Sequence, residues 1–290
     1  MTGKRFRKGW PVLALALAVV FAFSGCGPIL YGEKLSDEEM QQSTSQEISG
    51  KLTLNGSTSM AKVSQALGEA FSAKHGKATV ETSGTGSGDA PNSVISGNAL
   101  IGNMSRDMKD SENPDQFEQV QIAIDGIVIT VNKANPVTNL TTEQVTKIFS
   151  GEIKNWKEVG GNDQEITLLG RESSSGTRDG FESLFDVEGC EYAAELTSTG
   201  EVVTRVSSDP SSIGYISLDS LNDSVVGLKI DGAEPSEENI LNGTYLVQRP
   251  FIQVYKKGSD SELIETWFQF VKSEEGQKII QESGLIPVAE

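Results

Sequence analysis

The sequence contains very few of the residues that build metal sites, disulfide frameworks or catalytic triads. Its 290 residues include one histidine, His75, and two cysteines, Cys26 and Cys190. A His/Cys zinc site needs several such ligands together, and a Ser-His-Asp triad needs a histidine beside its serine. His75 has no second His or Cys near it, so neither kind of site is expected. We expect no resident metal or cofactor.

Basic residues and long apolar runs are also scarce. The chain has 24 Lys and Arg against 41 Asp and Glu, a formal net charge of −17. A chain this acidic is repelled by nucleic-acid phosphates and by anionic membrane surfaces, so neither is expected as a binding partner. The main apolar run, Trp10 to Phe23, is shorter than the roughly 20 residues that span a bilayer.

The first 25 residues are typical of an export signal. Four basic residues within 4–8 precede the apolar run, and 23–26 (Phe-Ser-Gly-Cys) resembles the bacterial lipobox. This resemblance implies that residues 1–25 are a lipoprotein signal peptide and that Cys26 carries a lipid anchoring the exported protein to the outer face of the cell membrane. The alternative is ordinary secretory cleavage, with Cys26 as a spare thiol.

Cleavage before Cys26 changes the charge and the cysteine count of the chain. It leaves 20 basic against 41 acidic residues, a net charge of −21, because 1–25 contains four basic residues and no acids. If Cys26 is lipidated, Cys190 has no partner for a disulfide within the chain. Residues 33–50 are polar and lack a clear period, so 26–50 is predicted to form a flexible tether.

One stretch, 170–178, combines features of an anion site. It reads Gly-Arg-Glu-Ser-Ser-Ser-Gly-Thr-Arg, and it lies between the apolar run 166–169 and a helical spacing of apolar residues over 181–185. The pattern predicts a strand, a turn and a helix. The first N–H groups of a helix have no partner within it, so together with Arg171 and the hydroxyls they favour an oxyanion. The alternative is an ordinary Ser-rich helix cap.

Three more turns have the same chemistry. They are Gly-Ser-Thr-Ser at 56–59, Gly-Thr-Gly-Ser-Gly at 84–88, and Ser-Arg at 105–106, each after a predicted strand. In open α/β sheets, ligands collect at the carboxyl ends of strands, so four such turns favour convergence on one small anion. Taken alone, 84–88 also fits a flexible surface loop. After the 170–185 unit, a helix near 191–197 is predicted.

The order and spacing of these motifs resemble the solute-binding proteins of bacterial phosphate ABC transporters, the PstS type. The matching marks cover most of 51–290: the four turns, Asp-Gly-Ile-Val at 125–128, Ile-Phe-Ser-Gly-Glu-Ile-Lys-Asn-Trp at 148–156, and Ile-Gly-Tyr-Ile at 213–216. The resemblance implies an α/β, two-lobed periplasmic-binding-protein-like fold of type II, with a hinge and a ligand cleft between the lobes.

The resemblance also implies lobe boundaries and ligands. Lobe one would be 51–124 plus 250–290 and lobe two 125–249, with the chain crossing near 124–132 and 245–252. The phosphate contacts of the family fall on nine positions of this sequence: Thr58, Ser59, Ser87, Ser105, Arg106, Arg171, Ser175, Gly176 and Thr177.

Two positions of this sequence depart from the pattern of the family. Arg106 stands where well-known members have an Asp that accepts the proton of hydrogen phosphate. Ser173, which is not among the nine contacts, stands where other members have an Asp that pairs with the lobe-two arginine. An acceptor discriminates against fully ionised sulfate, because a sulfate oxygen offers no hydrogen and would leave the acceptor unpaired. The choice between phosphate and sulfate therefore stays open at this stage.

The expected function is capture without chemistry: binding of inorganic phosphate and delivery to the permease subunits of an ABC transporter. One alternative is a binding protein for sulfate, molybdate or another phosphate-bearing partner. The other is a serine-dependent phosphatase or hydrolase using Ser175 as nucleophile. That enzyme would need a base or a metal near Ser175, and the single distant histidine argues against it.

Overall fold

The computed structural model describes residues 48–288. The predicted signal peptide and lipidation site, 1–25 and Cys26, lie outside these residues, as does most of the predicted tether 26–50. The end of that tether differs from the prediction, because the first strand already begins at Ser49.

Strands and helices alternate along most of the chain. The strands are β1 Ser49–Gly56, β2 Lys77–Gly84, β3 Ile101–Met104, β4 Phe117–Asn132, β5 Asn139–Leu140, β6 Thr167–Arg171, β7 Ala194–Leu196, β8 Ser212–Ser217, β9 Val225–Gly227, β10 Lys229–Ile230, β11 Gln248–Lys256 and β12 Ile286–Pro287. The α-helices are α1 Ala61–Lys74, α2 Ala90–Ile95, α3 Thr142–Phe149, α4 Gly176–Phe185, α5 Thr199–Ser208, α6 Glu237–Leu241, α7 Glu262–Lys272 and α8 Glu274–Glu282. Short 3-10 turns, including Thr58–Met60 and Ser87–Asp89, precede α1 and α2.

One curled sheet of ten strands organises the described chain. Its main path runs β2-β1-β3-β11-β4-β8-β6-β7, and β9 and β12 also pair with β4. β1 is parallel to β2 and β3, while β6 is parallel to β8 and β7. β4 and β11 run antiparallel to each other between these two parallel groups. β1 and β3 end in predicted anion-site turns on one side of β11 and β4, and β6 ends in another on the other side.

β4 passes from one hydrophobic core to another. Ile122 and Ala123 pack in a core that includes α1, α7 and β1, whereas Ile127 and Ile129 pack in a core that includes α3, α4 and β8. The structure is therefore a mixed α/β fold, as the sequence predicted, and β4 connects two of its hydrophobic cores. The lobe boundaries at 124/125 and 249/250 remain a prediction.

The helices bury one apolar face each. Val63, Leu67 and Phe71 recur at four-residue spacing on α1 and are fully buried. Gly68, on the same face, lets α1 approach β2, since a Cβ at Gly68 would lie 2.9 Å from a methyl carbon of Val80. α1 therefore packs directly on the sheet and holds the 57–60 turn in place.

The helix predicted near 191–197 is wrong. Residues 194–196 form β7, which pairs in parallel with Leu169–Arg171 of β6. The segment 193–196, Ala-Ala-Glu-Leu, locally favours a helix. It forms a strand instead because it pairs with the edge of β6, and tertiary context overrides local preference. The consequence for the site is that β7 leads into a further strand-to-helix turn, 197–199.

Candidate functional site

The turn between β6 and α4 is built as the sequence predicted. Ser175 caps α4, and its Oγ accepts a hydrogen bond from the backbone N–H of Arg178 at 3.3 Å. Gly176 and Thr177 follow as the first helical residues, and the N–H groups of a first turn have no acceptor within the helix. These donors and the positive end of the helix dipole lie at a buried position, since Ser175 and Thr177 are at most 2% exposed.

Hydroxyl groups from separate loops meet at this helix start. The Oγ of Ser59 lies 2.7 Å from the Oγ1 of Thr177, and the Oγ of Ser87 lies 3.2 Å from the Oγ of Ser105. A Cβ on Gly176 would lie 2.3 Å from Ser87 Oγ and 2.6 Å from Ser105 Oγ, so these two serines abut the first turn of α4. We call the set of Ser57, Thr58, Ser59, Ser87, Ser105, Thr177 and Thr199 the hydroxyl cluster.

Arg171 places a guanidinium group in the same cluster. It is 1% exposed, and its Nη2 and Nη1 donate to the hydroxyls of Thr58 and Thr199 at 3.0 and 3.1 Å. Its Nε and Nη2 also bind the carboxylate of Glu172 at 2.9 and 2.7 Å. Arg171 therefore brings positive charge to a half-buried hydroxyl before α1 and a buried hydroxyl at the start of α5.

Arg106 does not join the hydroxyl cluster through any hydrogen bond described here. Its Nε binds Asp179 at 2.6 Å, and its two Nη atoms bind Glu112 at 2.8 and 2.6 Å. Burial alone would raise the pKa of Glu112, but the hydrogen bond and the charge of Arg106 hold that pKa below its ordinary value. The Arg106 guanidinium, which was expected to face the anion, is instead held by the carboxylates of Asp179 and Glu112. A buried charge needs such partners, because an unpaired one is costly.

Three polar residues of this region were not predicted as site residues. Arg249, on β11, is 4% exposed and donates from Nη1 to Ser105 Oγ at 3.3 Å. Thr199 begins α5 and bonds to Ser59 and Arg171. Ser57 donates to Ser105 at 2.9 Å. The Thr-Ser-Thr turn at 197–199 could have been found as a fifth hydroxyl-rich strand-to-helix turn, but the false helix prediction hid it.

A buried acidic pair lies behind the cluster. Asp125 is fully buried and binds Arg249 through Oδ2 at 2.8 Å, while Oδ1 accepts from Ser217 Oγ at 2.6 Å. Asp219 is 5% exposed, and its Oδ2 has no hydrogen-bond partner within residues 48–288. Burial raises the pKa of Asp125 to about 6, against the opposing charge of Arg249, and the neighbouring Asp219 raises it further. Burial also raises the pKa of Asp219.

These raised pKa values predict how pH affects stability. A carboxyl group whose pKa is higher in the folded chain than in the unfolded one destabilises the fold once it ionises, so its cost appears as pH rises from about 4 through the folded pKa. We expect Asp219→Asn to increase the free energy of unfolding at pH 7 by about 1 kcal/mol, because it removes a buried charge with an unpaired oxygen. The gain should vanish near pH 4.

Urea unfolding of wild type and Asp219→Asn at pH 4, 5, 6 and 7 measures this difference. Asp223→Asn removes an exposed carboxylate from the next loop and serves as the control, with no change expected beyond about 0.5 kcal/mol. A variant that is less stable than wild type at pH 7 would show that the Asp219 charge stabilises the fold.

The chemistry of these residues fits ligand binding better than catalysis. Within 48–288, no group of three His, Cys, Asp or Glu side chains is arranged to hold a metal ion. His75 packs on Phe71 at the end of α1, with ring centroids 4.7 Å apart, and so does not serve Ser175 as a base. Among the same residues, no helix is both long and apolar enough to cross a bilayer.

Comparison with known proteins agrees with this geometry. The family model described as the PBP superfamily domain matches residues 41–275. The chain is 33% identical to the phosphate-binding protein PstS of Bacillus subtilis over 285 residues, which are 96% of this chain and 94% of that one. It is 31% identical to the PstS of Pseudomonas aeruginosa over an alignment 306 residues long, which covers 94% of each chain.

Two crystal structures resemble the fold. One, from Clostridium perfringens, is described as a phosphate ABC transporter substrate-binding protein with bound phosphate. It is 37% identical, with a TM-score of 0.81, and the match covers 83% of this chain and 100% of that one. The other is an ABC-type phosphate transport receptor from Vibrio cholerae, 37% identical with a TM-score of 0.68, covering 82% of this chain and all of that one.

Proposed function

Since this chain belongs to the PBP superfamily and to its PstS-type members, which are binding proteins rather than enzymes, we propose that it captures inorganic phosphate between its two lobes outside the cytoplasm. The observation that carries the proposal is the meeting of Ser59, Ser87 and Ser105 with the start of α4 and with Arg171. A tetrahedral anion needs donors from several directions, and this arrangement supplies them from separate loops.

The proposed ligands are neutral donors around one buried charge. They are Thr58, Ser59, Ser87, Ser105, Arg171, Ser175, Gly176 and Thr177. Hydroxyls and first-turn N–H groups replace the water shell of the anion, and Arg171 contributes charge-assisted hydrogen bonds of roughly 1.5–3 kcal/mol each. Several such bonds suffice for micromolar or tighter affinity, about −8 kcal/mol.

Arg106 has a different proposed role from the one that the sequence indicated. It follows β3 in chain order and binds Asp179 on α4, so it links segments that belong to different lobes in the proposed division. With Glu112 neutralising part of its charge, it stabilises the closed arrangement at the rim of the cleft. Closure of the lobes would then depend on the anion inside and on this ion pair outside.

Delivery and anchoring complete the proposal. The lipobox-like 23–26 supports a lipid on Cys26, which would hold the protein at the outer face of the membrane. The PstS-type relatives support a permease of an ABC transporter as the partner that receives phosphate from the closed state. The net charge of the chain repels phosphate, and salt screens this repulsion beyond about 8 Å. Phosphate binding therefore depends on the local donors around Arg171.

Isothermal titration of the full-length protein, purified in detergent, tests this function. Phosphate is expected to bind with one site per chain and micromolar or tighter affinity, and sulfate and molybdate at least tenfold more weakly. Tighter sulfate or molybdate binding would assign the site to that anion. Saturable binding without turnover of p-nitrophenyl phosphate would exclude a Ser175 phosphatase, and absence of heat with all three anions would reject anion capture.

A further inference from the structure

We propose that Arg249 is a second anion-site arginine: it orients the Ser105 hydroxyl toward the ligand, and its buried partner Asp125 limits how much of its charge the ligand senses. This inference rests on the proposed phosphate site. It assigns a positioning and charge role to a residue that the sequence indicated only as part of a turn between strands.

Arg249 is held at the cluster by its strand. In the sheet, it lies opposite Asp125 in the pairing of β11 with β4, and its Nε and Nη2 bind Asp125 Oδ2 at 3.0 and 2.8 Å. Its guanidinium lies over the ring of Phe251, 5.4 Å from the centroid, and its stem passes Gly180 on α4. The position is therefore fixed by packing as well as by charge.

The remaining donor of Arg249 fixes the direction of a hydroxyl. Ser105 Oγ accepts from Ser57 Oγ at 2.9 Å and from Arg249 Nη1 at 3.3 Å. A serine oxygen has two lone pairs and one hydrogen, so an oxygen that accepts twice has only its hydrogen left to offer. That hydrogen is directed to Ser87 Oγ, 3.2 Å away, or to an anion beside Gly176 that replaces this contact.

The charge of Arg249 acts in the same region as that of Arg171. Arg171 bonds to Thr199, which bonds to Ser59 beside the start of α4. Arg249 bonds to Ser105, which abuts Gly176 in the same turn.

Burial lowers the pKa of Arg249, the charge of Asp125 raises it, and the charge of Arg171 lowers it. Each guanidinium forms an ion pair with one carboxylate, Arg249 with Asp125 and Arg171 with Glu172. An anion between them would be attracted by both, and removal of either carboxylate would leave its arginine less compensated.

This charge role makes a prediction that a purely structural role does not. Arg249→Gln and Asp125→Asn both break the same buried ion pair, so both should destabilise the fold. Their effects on phosphate binding should have opposite signs. We expect Arg249→Gln to raise the Kd about ten- to hundredfold, and Asp125→Asn to leave it unchanged or lower it up to about tenfold.

Isothermal titration of the full-length variants with phosphate, alongside thermal unfolding, measures both effects. Arg205→Gln, which removes an exposed arginine from α5, is the charge-matched control, and its Kd is expected within twofold of wild type. If Arg249→Gln does not fold, Arg249→Lys replaces it. Because lysine keeps the charge, its Kd should stay within about tenfold of wild type.

The outcomes separate this inference from the proposed function. A wild type that does not bind phosphate rejects the function and the inference together. A wild type that binds, with Arg249→Gln and Asp125→Asn both weakening binding by similar factors, rejects the inference alone and reduces the pair to a structural role. If Arg249→Lys raised the phosphate Kd as much as is expected for Arg249→Gln, the inference would also be rejected.

Discussion

Replacing Gly176 with alanine is expected to weaken phosphate binding at least a hundredfold in a protein that still folds. The new Cβ would lie 2.3 Å from Ser87 Oγ, 2.6 Å from Ser105 Oγ and 2.9 Å from Ser87 Cβ. A serine hydroxyl can rotate away, but the Cβ of Ser87 cannot. The start of α4 must therefore move away from the serines, and a displacement near 1 Å at a preorganised site costs about 10².

The same displacement should also reduce stability. Gly176 does not have a positive φ, so alanine can adopt its backbone conformation. The contact with Ser87 is overpacking at a buried position, which typically costs about 1–3 kcal/mol. Thermal unfolding without phosphate should therefore show a moderately lower Tm, and titration of the folded variant with phosphate should show the loss of affinity.

Gly200→Ala is the matched control. Gly200 lies in the first turn of α5, and the nearest atom to a Cβ there is Ser198 Oγ at 4.0 Å, so the substitution meets open space. Its phosphate Kd and its Tm should both stay close to those of wild type. A Gly176→Ala protein that binds phosphate within fivefold of wild type would show that Ser87 and Ser105 do not close on α4 in the liganded state.

Local sequence predicted the turns of this site well. Ser, Thr and Gly at the start of a helix have a direct physical reason, and the apolar spacing over 181–185 predicted a helix after this turn, which begins at Gly176. Ligands of open α/β sheets collect at the carboxyl ends of strands, which favoured one shared site for these turns. Convergence of Ser59, Ser87 and Thr177 was therefore predictable before any coordinates.

The partners of the arginines were not predictable in this way. Arg106 is next to a site serine in sequence, but its guanidinium turns to Glu112 and Asp179. Arg249 is 144 residues from Ser105 in sequence, yet its Nη1 bonds to it. A long side chain can reach several places, and only the packed fold decides which carboxylate or hydroxyl it meets.

The same limitation explains the error in secondary structure at 191–197, because β7 depends on pairing with β6. β4 also depends on its neighbours, since it continues through Asp125-Gly126. In β4, Gly126 is buried, and a Cβ there would lie 2.8 Å from Ile240 Cδ1. This glycine therefore admits close packing from α6 rather than ending the strand.

Arg171→Met is expected to lose phosphate binding by about 10³-fold, the largest effect of any single side chain in the site. The guanidinium is 1% exposed and bonds to Thr58, Thr199 and Glu172. Two charge-assisted hydrogen bonds to an anion, at roughly 1.5–3 kcal/mol each, account for a loss of this size. Arg171→Lys should lose about a hundredfold, because an ammonium group cannot reproduce the two-pronged geometry.

The fold should tolerate both variants better than most losses of a buried charge. The side chain of Glu172 is 22% exposed, so water can reach the carboxylate that Arg171 leaves behind. The control is Lys157→Met, which removes an exposed cation paired with Asp163 in the segment between α3 and β6 and should leave the Kd unchanged. Titration calorimetry of the three proteins, each checked by circular dichroism, gives the comparison. Near-wild-type affinity in a folded Arg171→Met protein would show that phosphate does not bind at the start of α4. Among the described residues, no other guanidinium bonds to both Thr58 and Thr199.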